Sequence, residues 1–343
     1  MKPLLLFLSF LLSLSLYSHY DPSVEDHQHL FTECHEKISE PLNYQALLKK
    51  PPRYPGSAQR EGVEGIVVLQ FDLTEEGKIT NAKVLWSSST GGDGYKESFS
   101  KAALKTLPSW KYRPQKNQKG ESIPTKGIVN QVTFLVEGYE TTINLGTDFR
   151  KILQSTDRAI NRKNPKKLEE ALTKVNSVLK DEQISDTEKA SYFYLKSLLL
   201  IALDRDNKEI QQVLLSSKEY YSIPEFIGPK GASFYSLNKT KLLSFSGLIL
   251  ATTYLKQENW VKAEEEYLSA LKAADVATIK NARFVRALIQ LGIASYNQEK
   301  WCYVVSSWER AKSLGKGYNI PFPAELENAL DYASDRYLSL IHI

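Results

Sequence analysis

"PPRYPGSAQREGVEGIVVLQFDL", Pro51–Leu73, runs from a stiff Pro and Tyr lead-in through a polar turn of helix into a strand that Gly65 opens. From Gly65 the periodicity is two. Val67, Leu69, Phe71 and Leu73 point one way while Val68, Gln70 and Asp72 point the other, as a strand with one buried face requires. "TEEGKI" (Thr74–Ile79) supplies the turn, with Gly77 where φ becomes positive, and Ile79–Trp86 returns as a second strand. After the connector "STGGDG", Tyr95, Phe99, Ala102 and Ala103 form a helical stripe that Pro108 ends. "SWKYRP" carries Trp110 and Tyr112, and "GIVNQVTFLVEG" gives the last strand. The order strand, strand, helix, strand predicts an α+β module over residues 51–140, with a three-stranded antiparallel sheet.

The chain around this module has 343 residues, enough for two domains. With 42% hydrophobic and 24% charged residues it is globular rather than disordered. The net charge of +4 is spread along the chain, which excludes nucleic acid as a partner on charge grounds. "MKPLLLFLSFLLSLSLYSHY" has one Lys and an apolar run too short to span a bilayer, so residues 1–19 read as a signal peptide for export to the periplasm. A retained anchor is the alternative. Residues 20–50 read as a leader. No Cys directly follows the apolar run, which argues against lipid attachment. Cys34 and Cys302 lie in different segments and their spacing gives no ground for closure, so both are read as unpaired or of unknown role.

Beyond Gly138 the pattern is helical, and an all-α domain is expected over 145–343. Asn164 before Pro165 marks a helix start, with Leu168, Leu172, Val175 and Leu179 behind it. "ATTYLKQENWVKAEEEYLSALKAA" and "GIASYNQEKWCYVVSSWERAKSLG" align at an offset of 41 residues. Ala251, Trp260, Tyr267 and Ala270 of the first match Gly292, Trp301, Trp308 and Ala311 of the second. Small residues let paired helices approach and aromatics fill the gaps between hairpins. These residues resemble the tetratricopeptide repeat (TPR). The second copy departs from it at Val304, opposite Ala263, and the offset exceeds the family's period of about 34. Lys189–Tyr221 reads as a degenerate copy.

The module at 51–140 is similar to the C-terminal domain of the TonB family. Its marks are Tyr54 and Pro55, Glu64 before Gly65, the Gly77 hairpin, and the spacing of Trp110, Tyr112 and Pro114. In that family the domain couples inner-membrane energy to outer-membrane transporters. A small sheet keeps a free edge, and such an edge accepts an extended segment of a partner. The resemblance implies a docking edge at Ile128–Val136 with Ile128, Asn130, Gln131, Val132, Thr133 and Phe134, bordered by Tyr54 and Pro55. The family's Pro-rich spacer is missing. Ser15 and His19 have a four-residue separation that family members use in their anchor, but here they read as coincidence.

Catalytic chemistry has no foothold in this sequence. Four of the five histidines, His19, His27, His29 and His35, precede both expected folds and His342 is the penultimate residue of the chain, and "STGGDG" lacks the Lys of a phosphate loop. His27, His29, Cys34 and His35 match no metal-site spacing, so neither metal nor cofactor is expected. Lys105, Lys111, Arg113, Lys116 and Lys119 form a basic run read as a solvated loop, with lipid headgroups, peptidoglycan or an acidic partner as the sharper reading. Glu264–Glu266 read as helix surface. The sequence therefore points to a periplasmic interaction protein that assists TonB-dependent transport. Its expected partners are outer-membrane TonB-dependent receptors or other envelope proteins. The alternatives are an anchored TonB-type energy transducer, associated with the inner membrane through an uncleaved signal, and a general periplasmic TPR scaffold.

Overall fold

The computed structural model describes residues 34, 46–117, 119–136, 145, 147–274 and 282–341. The expected signal peptide, most of the leader and all five histidines lie outside them. The chain divides into two compact units, one built on 36–142 with 223–240, the other on 143–222 and 241–343 with the segment that holds Cys34. Among the described residues no helix is long and apolar enough to cross a membrane.

In the first unit, β1 (Ala46–Leu48) pairs antiparallel with β4 (Lys111–Tyr112), so the end of the expected leader is part of the module. A short helix α1 (Gly56–Glu61) leads into β2 (Gly65–Leu73), β3 (Ile79–Ser89) and α2 (Asp93–Thr106). The ribbon β5 (Gln115–Lys116) and β6 (Ser122–Ile123) precedes β7 (Thr125–Phe134). The main sheet is antiparallel with order β3-β2-β7, as the two-residue periodicity predicts. Val67, Leu69, Phe71 and Leu73 pack with Phe99, Ala103, Trp110, Tyr112 and the β7 residues Ile128, Val132 and Phe134 into one core. Gly77 is required twice over: its φ is +75°, and a Cβ there would stand 2.1 Å from the carbonyl oxygen of Tyr112. Trp110 fixes the lead-in by donating its indole N–H to the Lys50 carbonyl at 2.8 Å.

The second unit is a series of helical hairpins: α3 (Thr147–Asn161) with α4 (Pro165–Val178), α5 (Asp186–Ala202) with α6 (Asn207–Tyr221), α7 (Leu237–Lys256) with α8 (Trp260–Ala274), and α9 (Ala282–Tyr296) with α10 (Trp301–Gly317). The last helix is α11 (Glu327–Ile341). Asn164 caps α4 as its Asn-Pro start predicts, accepting from the Lys167 amide, and Ser185 with Glu188 forms a capping box on α5. All four hairpins turn the same way. Lys163, Asp204, Glu258 and Glu299 adopt positive φ, each donating its amide to the carbonyl three residues back. The next amide in each case reaches five back, Asn164 to Ala159, Arg205 to Leu200, Asn259 to Tyr254 and Lys300 to Ser295. This is the Schellman closure of a helix C-terminus. The four turns are spaced by 41, 54 and 41 residues, so the period seen in the second half of the sequence also governs the first.

The longer interval holds a feature that the expected all-α run does not include. A hairpin of β8 (Phe226–Ile227) and β9 (Ser233–Phe234) interrupts the helices and groups with the sheet unit, where Phe226 stacks on Trp86 at 6.1 Å and 4°. Trp86 stands opposite Val68 in the sheet register. Ile66 and Val68, on the face away from the main core, are fully buried, so β2 is apolar on both faces at its start.

Two further expectations are corrected. Cys34 and Cys302 form a disulfide with Cα atoms 5.5 Å apart. Linear spacing hides such a pair, because 268 residues of folded chain separate its members. Glu264 is buried rather than on the surface, accepting from Ser295 Oγ at 2.9 Å, Gln298 Nε2 at 3.1 Å and Lys300 Nζ. Its neighbour Glu266 binds Lys218 at 2.5 Å, and Glu265 alone of the three is exposed. A helix carries consecutive residues around its axis, and here two of the three positions meet neighbouring helices.

Candidate functional site

The residues expected to form a docking edge all lie on β7 or beside it. Ile128, Val132 and Phe134 turn their side chains into the core, whereas Asn130, Gln131 and Thr133 are half-buried. Gln131 Nε2 lies 3.4 Å from Thr133 Oγ1 on the face opposite the core. From Gly65↔Phe134 to Phe71↔Ile128 the pairing of β2 with β7 runs without a register break. Among the described residues no strand pairs with the outer side of β7. The opposite edge differs, because β3 breaks register twice against β2, and irregular pairing of that kind twists an edge away from further strand addition.

The lead-in is tied to the end of β7. Tyr54 packs edge-on against both Phe99 and Phe134 at 5.7 Å and donates its hydroxyl to the Val63 carbonyl at 2.7 Å. Burial, with the Glu64 charge adding to it, pushes the Tyr54 hydroxyl above the ordinary phenol range, so it stays a neutral donor. Pro55 precedes α1, and its carbonyl accepts from the Gln59 amide at 2.9 Å. Tyr54, Pro55, Gln59, Ser98 and Ala102 border a cleft of about 550 Å³ between the lead-in and α2.

Glu64 is the residue that reasoning from sequence noted only as a neighbour of Gly65. It is buried, its backbone exchanges hydrogen bonds with Thr90 at 3.0 Å, and its carboxylate accepts from the Val136 amide at 3.3 Å. It thus holds the start of β2 against the far end of β7. Gly65 follows because a Cβ there would stand 2.4 Å from the Phe99 ring. At the other end of the sheet Asp72 accepts from Asn81 Nδ2 and the Gly127 amide, both at 2.8 Å. Those two hydrogen bonds, Asn81 first, hold its carboxyl below the usual carboxylate range.

In the helical unit the expected repeat-packing residues are brought together. Ala251, Ala263, Tyr267, Ala270, Trp308 and Ala311 are buried, and Trp260 and Trp301 are half-buried at the starts of α8 and α10. Val304 fills the place that Ala263 holds in the preceding hairpin and is equally buried. Tyr267 donates its hydroxyl to Gln290 at 2.8 Å, and Gly292 lies against the Trp308 indole.

Residues 50–135 match the family described as Gram-negative bacterial TonB protein C-terminal, and this segment of the chain is a TonB C-terminal domain. Among curated relatives, the protein TonB of Escherichia coli (strain K12) is 29% identical over 93 residues, which are 27% of this chain and 34% of that protein. The protein TonB of Yersinia enterocolitica is 28% identical over 101 residues, 29% of this chain and 34% of that protein. The chain therefore spans about a third of the length of these relatives. The solution structure of the Pseudomonas aeruginosa TonB C-terminal domain has 23% identity and a TM-score of 0.24, covering 29% of this chain and 91% of that one.

Proposed function

We propose that the protein is an envelope interaction protein whose TonB-type domain accepts an extended partner segment along the outer side of β7, in support of TonB-dependent outer-membrane transport. The observation that carries the reading is the continuous register of β7 against β2 from Gly65↔Phe134 to Phe71↔Ile128, together with the position of β7 at the edge of the sheet. A partner strand would add backbone hydrogen bonds worth about 0.5–1.5 kcal/mol net each, so docking is weak and reversible. Partner choice then falls to side chains beside the edge, where Asn130, Gln131 and Thr133 are half-exposed. The disulfide supports a compartment outside the cytosol, where such bonds persist. The helical hairpins, read as TPR-like, would hold a second protein.

The test is site-specific crosslinking from a photoreactive residue at Gln131 or Thr133 in cells. Capture of outer-membrane barrel receptors supports the transport reading. Capture of soluble periplasmic proteins alone favours a general scaffold and refutes it.

A further inference from the structure

The basic run that the sequence places after α2 gains a second property in the fold. Lys105 lies in the last turn of α2, and the Lys50 carbonyl accepts from both Thr106 Oγ1 and the Trp110 indole, which brings β1 alongside. In β4, Lys111 stands opposite Leu48. The chain then passes through Arg113 into the β5–β6 ribbon, with Lys116 opposite Ser122 and Lys119 at the turn. Lys50, Lys105, Lys111, Arg113, Lys116 and Lys119 are all exposed, and none has a carboxylate partner among the described residues. Among the described residues, the acidic groups of the adjoining turns are Glu121, which binds Asn117, and Glu75 and Glu76 at the turn whose Gly77 carbonyl meets the Tyr112 amide.

The same ribbons expose large apolar side chains. Leu47 is 57% exposed, Leu48 42% and Ile123 39%. Cations alone suit any polyanion, such as an acidic protein or glycan. Exposed leucines flanked by cations suit a surface with anionic heads over an apolar layer, because both free-energy terms are then favourable.

We infer that the β1–β4 and β5–β6 ribbons of the TonB-type domain form a docking surface for the headgroup region of an anionic lipid bilayer, with Leu47 and Leu48 at the apolar boundary. The residues of this surface are not those of the β7 edge, and its test is independent of strand addition.

The experiment uses the full chain with Leu47→Cys carrying an environment-sensitive fluorophore, the native cysteines remaining paired. The control probe is at Glu265→Cys on exposed α8 surface. Vesicles contain either phosphatidylglycerol with phosphatidylcholine, or phosphatidylcholine alone. The expected result is a blue shift at position 47 with anionic vesicles only, and none at 265. Combining Lys111→Gln, Arg113→Gln, Lys116→Gln and Lys119→Gln should weaken the shift's apparent affinity at least tenfold, since each surface cation contributes about fivefold. Three results overturn the inference: equal shifts at 47 and 265, a shift with neutral vesicles that the four substitutions leave unchanged, or binding to soluble polyglutamate with no shift on vesicles.

Discussion

Gly292→Ala is the most exacting test of how the helical hairpins pack. A Cβ at this position would lie 2.0 Å from Trp308 Nε1, 2.3 Å from Cδ1 and 2.6 Å from Cε2. Trp308 has nowhere to retreat. It is 1% exposed, stacks on Tyr296 at 5.9 Å, meets Phe322 at 6.0 Å, and donates its indole N–H to the Ile289 carbonyl at 2.9 Å. Overpacking at such a site costs about 3 kcal/mol, and displacing the indole loses a hydrogen bond of about 1 kcal/mol. Replacing Gly by Ala inside a helix returns about 1 kcal/mol. The expected net loss is about 3 kcal/mol, a fall in midpoint of about 6–12 °C for a unit of this size. Thermal unfolding followed by far-ultraviolet circular dichroism reads it, because the helices dominate that signal. Gly317→Ala serves as the control, since no atom lies within 4 Å of its Cβ position, and should be neutral or slightly stabilising. In a Trp308→Phe background the Gly292→Ala penalty should fall below about 1 kcal/mol, a coupling characteristic of groups in contact. If Gly292→Ala behaves like Gly317→Ala, the packing of α9 on α10 described above is wrong.

Other consequences are simpler to check. Thiol alkylation before reduction should label neither cysteine, and Cys302→Ser should lower stability by up to about 5 kcal/mol on chain-entropy grounds. Glu264→Leu removes the acceptor shared by Ser295, Gln298 and Lys300 and should cost about 1–3 kcal/mol in denaturant unfolding, the partly exposed Lys300 keeping some hydration. Asp72 has a lowered folded-state pKa, so its stabilising effect is present above the ordinary carboxylate range and is lost as pH falls through the folded value. Asp72→Ala should therefore destabilise the sheet unit at pH 7 more than at pH 3, as read by urea titrations at both values.

The legible parts of the fold were those with local cause. Alternation from Gly65 to Leu73, the turn at Gly77, and the stripe of Phe99 and Ala103 each depend on neighbours a few residues away, and each stands where the pattern put it. The repeat was legible where aromatics mark it, at Trp260 and Trp301. Of its earlier copies, Lys189–Tyr221 was legible only as a degenerate one and the hairpin of α3 and α4 not as a copy at all, because Pro165 and Asp206 occupy the matching places and the turn residues Lys163 and Asp204 carry no glycine signal. The hairpin around Phe226 then shifts the register and masks the period. Long-range facts were opaque: the disulfide, the burial of Glu264 and the reach of Glu64 to Val136 depend on which segments meet. The β7 residues of the candidate site were located by resemblance, but the division between core-facing Ile128, Val132 and Phe134 and half-exposed Gln131 and Thr133 comes from the sheet register.

Strand addition at β7 is tested most directly by amide hydrogen exchange on the full chain, titrated with a synthetic peptide from the N-terminus of a TonB-dependent receptor. Slowed exchange confined to β7 between Val129 and Thr133, with β3 unchanged, is the expected outcome. Slowed exchange on β3 or the helices with β7 unaffected, or no change at saturating peptide, would contradict it.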